Sequence, residues 1–451
     1  MLNRKIIKKM QDWKANKDKK ALCIFGARQI GKTTAIRSFG KANYKQFVEI
    51  NFVSDENAKE IFSGALDANT IISNLTAFCR KSLEVGNTLI FFDEIQRCPN
   101  ARTAIKFLVE DGRFDYIESG SLLGVKYNEV KSYPVGFEEL CMMYPMDFEE
   151  FLWANGVQES TLELLKDCFN TETPLSESIH NTLLQIFYSY IVVGGMPEVV
   201  QKYVTTHDIV KVINLQKNIL ELYRLDIAQY AEGHEKLKIK DIFDNIPNQL
   251  CDKTRRFFIN ALNKNARLNN YEKSFKWLAD AGVALPCYNL TEPKVPLKLN
   301  EKHNLFKLYQ GDTGLLCAAC LDNVQFPLLK GDLEINMGGI LENVIAQQLK
   351  ANGFSLYYYD SPRIGEIDFV IQNGSKINLI EVKSGRDYKT HQSLNKILTI
   401  KDWAIEKSYV LCKSNISVDD NITYLPWYLI YLLKPFELPL EFKYEVDLTG
   451  I

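Results

Sequence analysis

The sequence predicts an α/β protein of several domains, with a parallel sheet near its start and a second, smaller α/β unit at its end. Three observations carry this. Gly26-Ala27-Arg28-Gln29-Ile30-Gly31-Lys32-Thr33 fits the pattern GxxxxGK followed by Ser or Thr, between an apolar run at 21–25 and a helix-like segment at 34–39. Strand-like runs then recur at 47–52, 88–92, 116–119 and 142–146, separated by helix-like stretches at 58–66, 71–83 and 102–110, the alternation of a parallel sheet covered on both faces. Near the C-terminus, alternating segments at 365–370 and 377–383 flank Asn373-Gly374, a hairpin turn signal.

At 451 residues the chain exceeds what one hydrophobic core supports, and about two to four domains are expected. The spacing of elements divides it into an ATPase core at 1–150, a helical lid at 151–232, a third module at 233–330 and a C-terminal α/β domain at 331–451. Apolar residues make up 46 % of the chain, enough for packed cores, and 54 Lys and Arg against 56 Asp and Glu leave a net charge of −2. No global field therefore draws the protein to nucleic acid or membrane. The basic start, with eight Lys or Arg in residues 1–20, runs straight into the first strand without a signal-peptide core, and no apolar run reaches spanning length. A cytoplasmic protein without a membrane partner is the expectation. Its ten cysteines are scattered, as reduced thiols are, and Cys317 with Cys320 reads as buried helix surface because no second pair or His lies at zinc spacing.

Residues 4–13 carry Ile6, Ile7, Met10 and Trp13 at helical spacing and should pack on the sheet. The loop follows. Its glycines let successive N–H groups converge on phosphate oxygens at a helix N-terminus, so Gly26 to Thr33, with Thr34, form the candidate nucleotide cradle for ATP. Lys32 would reach the β- and γ-phosphates, and Thr33 would ligate Mg²⁺. Hydrolysis also needs a strand ending in a metal-holding carboxylate and a second acid to activate water; Leu89-Ile90-Phe91-Phe92-Asp93-Glu94 supplies that order, with Asp93 for the metal and Glu94 as base. The next strand ends in Glu118-Ser119-Gly120-Ser121, where Ser121 and Ser119 are rival γ-phosphate sensors. Arg97, Arg113 and Arg224 are candidates for a cation over the γ-phosphate, unless a neighbouring subunit of a homo-oligomer supplies it.

From 148 to 231 the pattern is mostly helical, broken at Gly194-Gly195-Met196-Pro197. The stretch 237–299 reads as three helices and a short hairpin, and residues 253–276 hold seven Lys or Arg against one acid. This is the pattern of a winged-helix-like module facing DNA, and equally of a solvated helical face.

In the last region, Glu366 and Asp368 share one strand face, as do Glu381 and Lys383. Acids from adjacent strands plus a Lys can chelate Mg²⁺, activate water and stabilise a pentavalent phosphate. Asp368, Glu381 and Lys383 are the candidate catalytic residues, with Asp368 and Glu381 as metal ligands.

That last segment resembles the PD-(D/E)xK nucleases, which implies a restriction-endonuclease-like fold and makes Glu342, on the preceding helix, the match to the position that completes the metal shell. The chain as a whole resembles prokaryotic AAA-type P-loop ATPases whose C-terminal half is a domain of unknown function with such a fold. The likeness rests on GARQIGKTT from Gly26, FFDEIQRCP from Phe91, ESGSLLG from Glu118, YPMDFEEFL from Tyr144, GGMPEVV from Gly194, WLADAG from Trp277 and LYQGDTGLL from Leu308. Many relatives carry a Gly-Arg pair before the YP strand. Here the sequence reads Tyr133-Pro134-Val135-Gly136-Phe137, so an arginine role carried over from that pair has no residue to occupy. The resemblance implies Mg-dependent ATP hydrolysis coupled to DNA binding and nuclease action. The alternatives are an ATP-controlled switch with a catalytically silent C-terminal domain, and an ATPase acting on another protein.

Overall fold

The computed structural model describes residues 2–120, 133–230, 233–252, 254–264, 266–321, 324–331, 337–385, 387–437, 441 and 443–445. The first sheet comprises β1 (Ala21–Phe25), β2 (Gln46–Asn51), β3 (Thr88–Asp93), β4 (Asp115–Gly120) and β5 (Glu138–Met142). All its pairings are parallel, in the order β2-β3-β4-β1-β5. β3 is buried along its whole length, which is why it reads as an apolar run and not as an alternation. Leu89, Ile90, Phe91 and Phe92 are wholly buried, each contributing about 1.5–3 kcal/mol relative to exposure.

One strand differs from expectation. The run at 142–146 is not β5, which lies earlier, at Glu138–Met142. β5 is an edge strand with Glu139, Leu140 and Met142 exposed, and its apolar residues Leu140, Cys141 and Met142 run on into Met143 and Tyr144, so the apolar run does not mark where the strand ends. Residues 143–146 pass instead beneath the phosphate loop, where Met143 N donates to Phe25 O at 2.7 Å.

The lid is five helices, Phe148–Ala154, Glu159–Thr171, Glu177–Val193, Pro197–Thr206 and Ile209–Tyr230. In the break before Pro197, Gly195 has no room for a side chain, because a β-carbon on it would lie 2.1 Å from Met146 O.

The second sheet contains β6 (Ala284–Leu290), β7 (Glu301–Gln310), β8 (Tyr357–Ser361), β9 (Gly365–Asn373), β10 (Lys376–Val382), β11 (Ile405–Cys412), β12 (Ser417–Asp419) and β13 (Ile422–Pro426). Its order is β12-β13-β11-β10-β9-β8-β6-β7. β9 and β10 form the antiparallel hairpin expected around Asn373-Gly374, and Gly374 has φ +61°. The hairpin expected to end the third module, β6 with β7, does not project freely: Tyr288 pairs with Tyr357, so it is part of this sheet. Of the three helices expected before it, Gly233–Cys251 and Glu272–Asp280 form, and among the described residues between them there are only single 3₁₀ turns, at Ile259–Ala261 and Leu268–Asn270. Asn263, Asn269 and Asn270 lie in that stretch, and asparagine side chains compete for backbone hydrogen bonds.

The helix Gly338–Ala351 is buried on every side from Gly339 to Leu349 and ties the two sheets together. Gln348 Oε1 accepts from Phe148 N at 2.9 Å, and Asn343 Oδ1 accepts from Gln310 N at 2.7 Å. One apolar core accordingly extends from Ile6 to Leu433. Among the described residues no helix is long and apolar enough to cross a membrane.

Candidate nucleotide site and acidic centre

The phosphate loop curls because Gly26, Gln29 and Gly31 take φ values of +153°, +63° and +87°, and the helix Lys32–Asn43 starts immediately after. Gly26 admits no side chain, since a β-carbon would lie 2.2 Å from Met143 O. Arg28, Gln29, Gly31, Lys32, Thr33, Thr34 and Glu94 line a cleft of about 480 Å³, while Ala27 and Ile30 are buried behind it. Lys32 Nζ donates to Gly26 O at 3.0 Å and Ala27 O at 2.7 Å. Burial pulls its ammonium down to about 8, against the opposing pull of Glu94 and Asp93.

β4 lies between β1 and β3, which brings Ser119 beside Asp93. Asp93 accepts from Ser119 Oγ, from Asn51 Nδ2 at 2.9 Å and from Thr33 Oγ1 at 3.2 Å. Burial raises its pKa despite these donors. Glu94 has φ +57° and accepts from Gln96 Nε2. Ser121 lies outside the described residues, so of the two rival serines only Ser119 is placed. Arg113 is bound to Asp111 and Asn69, and Arg224 to Asp244 and Glu221. Neither lines the cleft; the arginines that do are Arg28 and Arg4.

Arg4 clamps the loop from behind. Its guanidinium donates to Ile30 O at 2.7 Å, Tyr144 O at 2.8 Å and Glu150 Oε1 at 3.1 Å. On the other side, Arg28 Nη1 bonds Asp226 at 2.6 Å, and Tyr223 Oη donates to Arg28 O at 2.9 Å, so the lid helix Ile209–Tyr230 grips the loop directly. The third module reaches it too, at Gly282, where a β-carbon would meet Ala27 N at 3.3 Å.

In the second sheet, the register Ile380↔Phe369 sets Glu381 opposite Asp368. Glu342 approaches from the buried helix, so the expected residues converge. They do so around cations. Lys307 on β7, wholly buried, donates to Glu342 Oε2 at 3.0 Å, contacts Glu366 and lies 3.9 Å from Asp368 Oδ1. Arg255 pairs with Glu342 and also lies 3.9 Å from Asp368. Tyr309 Oη donates to Glu342 at 2.9 Å, Val382 N to Asp368 Oδ2 at 2.7 Å, and Lys383 pairs with Glu381 at 2.8 Å. Four carboxylates thus face three cations, an excess of one negative charge. Burial, reinforced by Asp368, pushes Glu342 up to about 8 and Glu381 up to about 7. Burial alone would lower Lys307, but Glu342, Glu366 and Asp368 hold it charged.

Residues 18–152 match the model of an AAA domain. This segment is an AAA-type ATPase domain. Residues 184–325 and 337–430 match two domains of unknown function, DUF8612 and DUF4143. No curated protein matches the chain. Solved structures that overlap it include a Walker-type ATPase of Pyrococcus abyssi, at 13 % identity and TM-score 0.41 over 71 % of this chain and 96 % of that one. The Aeropyrum pernix ORC1 protein in complex with DNA overlaps at 13 % and 0.28, over 71 % and 93 %. The Thermotoga maritima RuvB Holliday junction branch migration motor does so at 12 % and 0.29, over 63 % and 89 %. Overlaps this loose carry no weight on function.

In the ATPase domain, a hydroxyl and a carboxylate 3.2 Å apart, the carboxylate steadied by Asn51 and Ser119, are a donor set that fits Mg²⁺ beside bound phosphates. The acidic centre does not fit one, because the Lys307 ammonium already bonds Glu342 and Glu366 and a backbone N–H takes one oxygen of Asp368. Arg4, Asn51, Asp226, Arg255 and Lys307 escape the motifs. Lys307 alone left a signal, a single charge inside the strand-like run Leu305-Phe306-Lys307-Leu308-Tyr309.

Proposed function

We propose that ATP bound and hydrolysed in the ATPase cleft controls how the C-terminal half grips DNA, and that this half is a nuclease-like domain that binds without cutting. The observation that carries this reading is the short mechanical path between the two sites. Ala27 of the loop abuts Gly282; Gly282 O would lie 2.4 Å from a β-carbon on Gly311; and Gly311 directly follows β7, the strand of Lys307 and Tyr309. Packed backbone thus links the loop to the acidic centre, and in this reading it is the route by which a change in loop geometry would be felt there.

In this reading Lys32 neutralises charge on the γ-phosphate, and Glu94 takes the proton of the attacking water. Thr33 and Asp93 would hold Mg²⁺, which when bound would supply charge neutralisation at the transferred phosphoryl group. Ser119 and Asn51 keep Asp93 oriented. The loop amides from Ala27 to Thr33 point phosphates toward the helix N-terminus. Exposed Lys264, Arg267, Lys273 and Lys276 form the basic face that meets the DNA backbone. Arg255 and Arg256, from the same basic segment, are turned inward onto Glu342 and Asp360 and take no part.

The convergence of Asp368, Glu381 and Lys383 favours a second reading, Mg-dependent cleavage; Lys307 and Arg255 weigh against it. Anisotropy of a labelled duplex, with and without a non-hydrolysable ATP analogue over 50–200 mM salt, tests the first. The expected result is nucleotide-dependent binding that weakens steeply with salt and is lost on replacing the four exposed cations by Ala. Salt-insensitive or absent binding would sink it, and Asp368-dependent nicking of the same duplex would establish the second.

A further inference from the structure

Lys307 is an expensive residue to place where it is. A wholly buried ammonium costs several kcal/mol unless its donors and charge are fully met. Here they are met by the carboxylates that an acidic nuclease-like centre would offer a metal: Glu342 and Glu366 within bonding distance, and Asp368 Oδ1 at 3.9 Å. The ring of Tyr358 faces the same ammonium, 5.1 Å from its centroid. The second cation is seated as deliberately. Arg255 adopts φ +49°, and its guanidinium packs against Gly338 at the start of the buried helix.

Charge counting sharpens the point. Glu342, Glu366, Asp368 and Glu381 against Lys307, Arg255 and Lys383 leave one negative charge. Without Lys307 the same side chains would leave two, the charge that one divalent ion neutralises.

We propose that Lys307 is the resident cation of the C-terminal centre, seated among the carboxylates that would otherwise take a divalent ion, with Arg255 as its partner, so that the native chain binds no metal there. The inference rests on reading the C-terminal half as nuclease-like but not on DNA as its partner, and an ion count is independent of any DNA signal.

The test is Mn²⁺ binding to the full chain without nucleotide, followed by the electron paramagnetic resonance of free Mn²⁺. Wild type and Asp368→Asn should bind equal amounts. Lys307→Gln and Lys307→Ser should each gain one Mn²⁺ per chain, lost again on adding Asp368→Asn, and Mn²⁺ should raise their Tm but not that of the wild type. An Asp368-dependent ion in the wild type would overturn the proposal, as would a folded Lys307 variant that gains none. If neither variant folds, equal binding by wild type and Asp368→Asn upholds the proposal and unequal binding refutes it.

Discussion

Gly282 lies against Ala27 so closely that a β-carbon on it would be 3.3 Å from the Ala27 amide nitrogen, and its φ of +69° is one that side chains resist. Gly282→Ala should therefore lower stability by about 1–2 kcal/mol and displace the loop. A several-fold rise in the Kd for ATP, beside a lower Tm, is the expected result; unchanged nucleotide affinity would show that this contact does not reach the cleft.

Two substitutions separate binding from turnover. Lys32→Ala should remove ATP hydrolysis and weaken binding, whereas Glu94→Gln should retain nucleotide and lower phosphate release by roughly 10²–10⁴-fold. Fluorescent-nucleotide titration and a phosphate-release assay on the same preparations distinguish them.

Arg4 and Glu150 are 8 % and 4 % exposed, and their pair closes the back of the loop. Removing one partner of a buried pair costs about 3–5 kcal/mol, so Arg4→Ala should unfold at clearly lower denaturant concentration. Ile30 O also loses its donor, and weaker ATP binding should accompany the lost stability.

Asp312, 2 % exposed, accepts from Gly195 N at 2.6 Å and Leu315 N at 3.0 Å, and burial pushes it up to about 6 from an ordinary 3.8. The folded state binds this proton more tightly than the unfolded state does. Its contribution to stability is therefore fully present below about pH 4 and is lost as pH rises through about 6. Denaturant midpoints between pH 4 and 7 should show that decline, and Asp312→Asn should flatten it. The amide cannot accept from both N–H groups, so the variant should also be about 1–3 kcal/mol less stable throughout.

The parts of this molecule legible in the sequence are those where local chemistry and fold demand the same residues. The loop from Gly26 to Thr33 needs its glycines and its Lys wherever it occurs, and buried β3 announces itself by Leu89 to Phe92. The Asn373-Gly374 turn fixes the register that faces Asp368 with Glu381. What stayed hidden depends on distant partners. β5 is an exposed edge whose apolar residues run on past its end, and Arg4 means nothing until Ile30 and Glu150 surround it. Arg255 and Arg256 look like surface charge until Glu342 and Asp360, about a hundred positions away, are seen to receive them. β6 gives no hint of β8, because pairing across 66 residues of chain leaves no local mark.

The pairing of Tyr288 with Tyr357 bears on any attempt to take the protein apart. A fragment ending near residue 330 would keep β6 and β7 but lose every strand beyond them, baring the edge of β6 to aggregation and stranding Lys307 without Glu342, Glu366 or Asp368. A fragment starting there would carry those carboxylates without their ammonium. Neither piece is a smaller version of what it does in the whole, and activities assigned to the halves by truncation would describe damaged goods.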